Sequence, residues 1–384
     1  MTSLPQASAE ALATSQALSQ HIAAEIAAAD GWIPFSRYME LALYAPGLGY
    51  YAAGSAKLGA AGDFTTAPEM SALFGATLAR QIAELLPQTA GVIYEFGAGT
   101  GKLAADILQK LEQLDALPAR YVIIDLSADL IERQQTLLRE RLPHLLDKVT
   151  WLSTLPDTLD GIVIGNEVLD AMPCEMLLHD GRHISQRGVS LEDGRFVLTE
   201  RALQDTTLTE LAQSLIPAIA GYGSEISLTN RAFIRTLAER LTRGALLFID
   251  YGFPAHEYYH PQRHMGTLIG HYRHHTLTDP FYLPGLMDLT CHVDFTAIAE
   301  TGLAAGLDLI GYTSQAQFLL NAGITDELAL LDPEDVRHYV PQSAAVQKLC
   351  SPAEMGELFK VIGFGRGISI DWSGLIQGDR CHTL

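Results

Sequence analysis

Apolar residues recur four apart at Leu18, Ile22 and Ile26 within an Ala-rich polar stretch, the spacing of an amphipathic helix, and Gly31 ends it. Residues 33–44 predict a second, shorter helix with Pro34 in its first turn. A loop dense in Gly, Pro and Tyr follows at 44–51. Thr66 and Glu69 stand three apart ahead of the run Met70, Leu73, Phe74, Leu78, the signature of a capping box at a helix start. From residue 92 short apolar runs alternate with helical spacings. The runs at 92–96, 121–124, 149–152 and 162–164 read as strands. Between them lie a helix with Leu103, Ile107, Leu108 and Leu111 on one face and another from 127 to about 142. This alternation predicts an α/β fold around a parallel sheet. Further strands at 245–249, 309–313 and 359–362 extend the sheet, and Asp294 caps a helix that runs to Leu303. Residues 174–225 interrupt the alternation. Three short strands separated by Asp180-Gly181 and Asp193-Gly194 read there as a meander of hairpins, with helices at 208–219 and 232–241 after it. Residues 253–293, crowded with His, Tyr and Pro, predict no regular element, and so long a loop is usually functional or mobile. The division expected is an N-terminal helical unit (1–88), a core (89–173 and 240–370) and an insertion (174–239).

The chemistry concentrates where predicted strands end. Residues 95–101 read Glu-x-Gly-x-Gly-x-Gly, between a strand and a helix. Glycines there admit positive φ and a close ligand, and the free N–H groups of the helix start favour polar or anionic atoms. A dinucleotide fingerprint requires glycine where this chain has Lys102. Asp125 closes the second strand, 28 residues beyond Gly97, where an acid suits the two ribose hydroxyls of a nucleoside. Helix capping alongside Ser127 is its alternative reading. Asn166, Glu167 and Asp170 follow the strand at 162–164 and are expected to face the same crevice, because open α/β sheets bind ligands beyond the carboxyl ends of their strands. Capping of a following helix is the alternative for Asn166. Asp63, on a glycine-bearing loop, is either a turn residue or a site group. His271, His274 and His275 lack a supporting carboxylate at ligand spacing, so no metal is expected.

Composition narrows the partners. The formal net charge is −20, which repels phosphate backbones and anionic lipid headgroups and disfavours nucleic acid as a substrate. Four cysteines lie far apart without a C-x-x-C pair, so neither a disulfide framework nor a zinc site is indicated and a reducing compartment fits. No apolar run approaches membrane-spanning length. The first 36 residues hold no Lys or Arg, so neither a secretory n-region nor an Arg-rich presequence is expected, and a cytoplasmic location is expected.

Taken in order, the segments 36–39, 62–69, 95–101, 166–173 and 288–295 resemble the MidA-like family of class I S-adenosylmethionine-dependent methyltransferases. The similarity runs from about residue 17 to 370. It implies a Rossmann-like fold with a seven-stranded, mostly parallel sheet, N-terminal helices and an inserted subdomain over the cofactor. The resemblance implies that S-adenosylmethionine is held by Glu95, Gly97, Ala98, Gly99, Gly101, Asp125, Leu126 and Asn166. The mitochondrial members are the assembly factor of respiratory complex I that methylates a protein arginine, so the resemblance also implies a protein substrate, such as a complex I subunit. For such an acceptor, Glu167 and Asp170 are expected as a carboxylate clamp, with Asp63 reaching in from the N-terminal unit and His292 taking up a proton or pairing with an acid. Methylation of a small O- or N-nucleophile, or a cofactor-binding assembly factor with dispensable catalysis, are the other classes the residues allow.

Overall fold

The computed structural model describes residues 4–52 and 66–384. The main sheet is built of β1 (Val92–Phe96), β2 (Arg120–Ile124), β3 (Val149–Leu152), β4 (Leu159–Asn166), β5 (Leu241–Phe253), β6 (Asp308–Ser314) and β7 (Phe359–Arg366). In space the order is β3-β2-β1-β4-β5-β7-β6. The strands from β3 to β5 are mutually parallel, and β7 runs antiparallel to both of its neighbours. Alternate residues serve two separate cores. Ile93, Tyr121, Ile162 and Leu247 point to one, while Tyr94, Val122, Val163 and Leu246 point to the other. Burial on both faces explains the nearly continuous apolar runs of the central strands.

Helix Lys102–Gln113 buries Leu103, Ile107, Leu108 and Leu111, the face its spacing predicted. Helix Leu228–Arg240, counted with the insertion from sequence, packs Ile234 and Leu237 into the second core and connects to β5. The inserted subdomain is a meander of Glu175–His179, Ile184–Glu192 and Arg195–Ala202, joined by Tyr222–Ile226. The Asp193-Gly194 turn has φ of +49° and +74°, the left-handed pair that a two-residue hairpin requires. The expected helix at 208–219 ends at Leu215, because Ile216 precedes a proline and is pushed to extended geometry.

Two other expectations are corrected. Residues 33–44 are not one helix: Ile33–Pro34 is a short strand paired with Val189 and Gly188 of the insertion, and the helix is Phe35–Tyr44. Residues 253–293 hold a short helix, Ala255–Tyr258, and an antiparallel sheet of Ile269–Tyr272, His275–Leu277 and Asp288–Thr290. Their strands are brief and polar. The turn that joins the first two uses Arg273 and His274 at positive φ, where a glycine would have announced it. Leu18, Ile22 and Ile26 of helix Ala9–Ala28 bury against this sheet and the insertion, so N-terminus, insertion and 269–290 segment share one core above the main sheet.

Candidate active site

β1 delivers the chain into Gly97, Gly99 and Gly101, whose φ values of +61°, +55° and +86° lie where side-chain-bearing residues are strained. Gly101 also caps helix Lys102–Gln113, and a Cβ there would stand 3.0 Å from the Gln134 backbone. Thr100, between the last two glycines, and Lys102, after them, are tied to a neighbour. The Thr100 hydroxyl donates to Glu69 Oε1 at 2.5 Å, and Lys102 Nζ donates to the Pro68 carbonyl at 2.6 Å and to Asp106 Oδ2 at 2.7 Å. These bonds pin the short helix Ala67–Met70 across the glycine turn. The capping box expected at Thr66 and Glu69 is therefore corrected. Thr66 makes no side-chain cap bond, Ser71 starts the longer helix Ala72–Leu85, and Glu69 is committed to Thr100.

Beneath the turn, Glu95 is buried and accepts the Tyr121 hydroxyl at 2.7 Å. Burial pushes its pKa up to about 8, with the nearby Asp125 charge adding to the rise. Asp125 sits at the tip of β2, where burial also raises its pKa. Its oxygens accept the Ser127 N–H at 2.9 Å and Gln134 Nε2 at 2.8 Å. Ser127, not Asp125, caps the following helix, so the capping alternative does not describe Asp125. Gln134, fully buried, also donates to the Gly99 carbonyl at 3.0 Å and accepts Trp151 Nε1 at 3.0 Å, which ties acid and turn together. No sequence pattern singled it out, because a glutamine inside a helix carries no motif. Leu126 is 77% exposed, an apolar face beside Asp125.

The third wall leaves β4. No helix follows Asn166, so the capping alternative fails. Asn166 Nδ2 donates to Glu167 Oε1 at 3.0 Å, while its own Oδ1 is buried without a hydrogen-bond partner. Glu167 has φ of +54° and receives the Ala67 N–H on its carboxylate, so the helix pinned to the glycine turn touches this wall as well. Burial, then the Asp170 charge, pushes the Glu167 pKa up to about 8. Asp170 is buried, its Oδ1 has no hydrogen-bond partner, and burial lifts its pKa to about 6.

Above these acids lies an aromatic roof. Tyr44 and Tyr51 stack with ring centroids 5.5 Å apart. The Tyr44 hydroxyl donates to the Ala171 carbonyl at 2.9 Å, and the Tyr51 hydroxyl meets both oxygens of the buried Asp288 at 3.0 Å. The charges of Asp170 and Asp288 reach both tyrosines. Asp288 escaped the sequence reading of individual residues, because its strand lay in a stretch with no predicted element.

His292 takes a different place from the one expected. Its ring packs edge-on against Tyr251 and Phe253, both with centroids at 5.1 Å, and Nδ1 is buried without a partner. Burial, aided by the Arg263 and Lys360 charges, depresses its pKa to about 4. The ring is neutral at neutral pH. Asp63 lies outside the described residues. Among the described residues no group of three or more His, Cys, Asp or Glu is placed to hold a metal ion.

The arrangement offers a glycine cradle with a ribose-type acid on one side and a cluster of buried acids beside two tyrosines on the other. Comparison with known proteins agrees with it. The family of S-adenosyl-L-methionine-dependent methyltransferases matches residues 77–313. Protein arginine methyltransferase NDUFAF7, mitochondrial, of Danio rerio is 28% identical over 377 residues, with 89% of this chain and 85% of that protein covered. The Homo sapiens protein of that name is 30% identical over 375 residues, covering 86% and 79%. The crystal structure of a COG1565 superfamily member from Burkholderia thailandensis, bound to S-adenosyl-homocysteine, superposes with a TM-score of 0.97 at 52% identity over 100% of both chains.

Proposed function

The chain belongs to this family of S-adenosyl-L-methionine-dependent methyltransferases, and from that premise we propose that it methylates the guanidinium of an arginine in a protein partner. The cofactor suits the residues present. Gly97, Ala98, Gly99 and Gly101 leave a backbone cradle for its amino-acid end, with Glu95 beneath to answer the ammonium group. Asp125 suits the ribose hydroxyls, the exposed Leu126 an adenine face, and the orphaned Asn166 Oδ1 a donor from the ligand.

A bound sulfonium supplies an electrophilic methyl group, so the protein's task is to hold the acceptor in line with it. The observation that carries the arginine reading is the cluster of acids Glu167, Asp170 and Asp288 beside Tyr44 and Tyr51, with Asp170 Oδ1 buried and without a hydrogen-bond partner. A guanidinium is planar, permanently charged and a poor nucleophile until carboxylates localise its charge. Glu167 and Asp170 clamp it in this reading. His292 is kept as a neutral wall in this reading. Relatives named as protein arginine methyltransferases support the same acceptor, and a respiratory complex I subunit is the partner the family resemblance suggests. Arginine methylation mapped by mass spectrometry in cells with and without the gene tests this. At least one methylarginine site should vanish with the gene and return with the wild type but not with Glu167→Gln; an unchanged methylarginine map sinks the reading.

A further inference from the structure

We propose that Asp250 is the positioning residue of the acceptor turn, holding residues 168–170 so that Glu167 and Asp170 present their carboxylates to the acceptor; this rests on the reading of those two acids given above. β4 and β5 are parallel with Asn166 opposite Ile249, so the next residue of β5, Asp250, faces the chain as it leaves β4. One oxygen, Asp250 Oδ2, accepts three consecutive N–H groups, from Val168 at 3.1 Å, Leu169 at 2.9 Å and Asp170 at 3.3 Å. Oδ1 accepts the N–H of Tyr251 at 2.9 Å. The side chain is 1% exposed, and all these bonds go to backbone, so Asp250 acts through the turn and not on a ligand.

The turn needs such support. Glu167 sits at φ +54°, a strained conformation for a non-glycine residue that persists only where the surroundings impose it. Its N–H is fixed by the Ile249 carbonyl at 2.9 Å. Further on, the Leu169 carbonyl accepts Asn230 Nδ2 at 3.0 Å and the Asp170 carbonyl accepts the Cys291 N–H at 2.9 Å. Between these ties, the three N–H groups of 168–170 have the character of an uncapped helix start with no helix behind it. The Asp250 carboxylate supplies the acceptor that a local cap would otherwise provide.

The test uses the purified full chain, methyl-labelled S-adenosylmethionine, and total protein from cells lacking the gene as acceptor. Asp250→Asn keeps one oxygen for the turn but sets its amide NH2 against the Tyr251 N–H; Asp250→Ala removes every acceptor. Expected for Asp250→Asn are affinity for S-adenosylhomocysteine by calorimetry within about twofold of wild type, an unchanged KM for S-adenosylmethionine, and methyl transfer slower by about tenfold or more. Asp250→Ala should lose more, and a crystal structure of Asp250→Asn should show Glu167 shifted out of its left-handed geometry. Should the alanine variant fail to fold, the asparagine variant decides alone. Wild-type transfer by Asp250→Asn while Glu167→Gln and Asp170→Asn are impaired overturns the inference and leaves the acceptor reading standing. A fall in S-adenosylhomocysteine affinity as large as the fall in rate also overturns it, by placing Asp250 in support of the cofactor cradle. Wild-type transfer by both Glu167→Gln and Asp170→Asn removes the acceptor reading and the inference with it.

Discussion

Two neighbouring acids in a dry pocket cannot both be charged at little cost, and Glu167 and Asp170 show the strain of that arrangement. Burial sets their pKa values at about 8 and about 6. Below those values each carboxyl group is neutral and loses its charge-assisted hold on a guanidinium. Methyl transfer in the wild type should therefore rise with pH from about 6 to beyond 8, in steps shared among Glu167, Asp170 and the neighbouring Asp250, which burial and the Asp170 and Glu167 charges also push up. Glu167→Gln should erase the upper step and cost about 10- to 100-fold in rate, the usual consequence of losing a hydrogen bond to a charged group. A pH–rate profile of the two proteins decides it; an unchanged upper limb in the variant would remove Glu167 from the acid pair. His292 belongs to the same scale. Its type and position suggested a proton acceptor, but residue type says nothing of burial, and burial with two nearby cations leaves the ring too weakly basic for that task near neutral pH.

The short helix Ala67–Met70 links both halves of the site, since Glu69 and Pro68 are tied to the glycine turn and Ala67 to Glu167. Replacing Thr100 by Val deletes the hydroxyl that holds Glu69 while keeping the side chain's shape. S-adenosylhomocysteine binding should weaken about 3- to 10-fold with little change in Tm, a loss of about one hydrogen bond. Calorimetry and a thermal melt check this, and equal affinity would show that the helix needs no such anchor. At this scale the sequence was most informative where elements were long and periodic. The core strands, helix Lys102–Gln113 and the Asp-Gly hairpin all follow from spacing and turn chemistry. What stayed hidden has physical reasons. Tyr222–Ile226 and Ile33–Pro34 are short and depend on partners distant in sequence, while the strands of 269–290 are short and two of them are joined by a tight turn without a glycine. The glycine turn, Asp125, Asn166 and the acids after β4 were readable because they sit at strand ends. Gln134 became visible only through the neighbours it touches, and for Asp250 and Asp288, which lie in segments the sequence marked, only the contacts were hidden.

Across the whole molecule, a buried ion cluster ties the C-terminal half to the glycine-turn half. Glu327, 4% exposed, pairs with Lys110 at 2.7 Å and with Arg80 at 3.1 Å, joining helix Ile324–Ala329 to helices Lys102–Gln113 and Ala72–Leu85. Glu327→Ala strands the buried Lys110 without its counter-charge and should destabilise the protein by about 3–5 kcal/mol. Lys110→Met in the same chain should restore much of that, as chemical denaturation would measure; a loss below about 1 kcal/mol in the single variant contradicts the role. The pairing of Ile33–Pro34 with Gly188 and Val189 bears on a different hazard. Strand Ile184–Glu192 is longer than Glu175–His179, which covers only its first residues, and the N-terminal strand continues the ladder where that partner stops. A chain shortened by its first 45 residues would bare that edge together with Val189, Phe196 and Leu198, which the N-terminal helices cover. An open strand edge flanked by apolar side chains is a template for another chain. The expected fate of the shortened protein is thus self-association, visible by light scattering, and the N-terminal segment serves as a built-in guard against aggregation as much as a cover for the site.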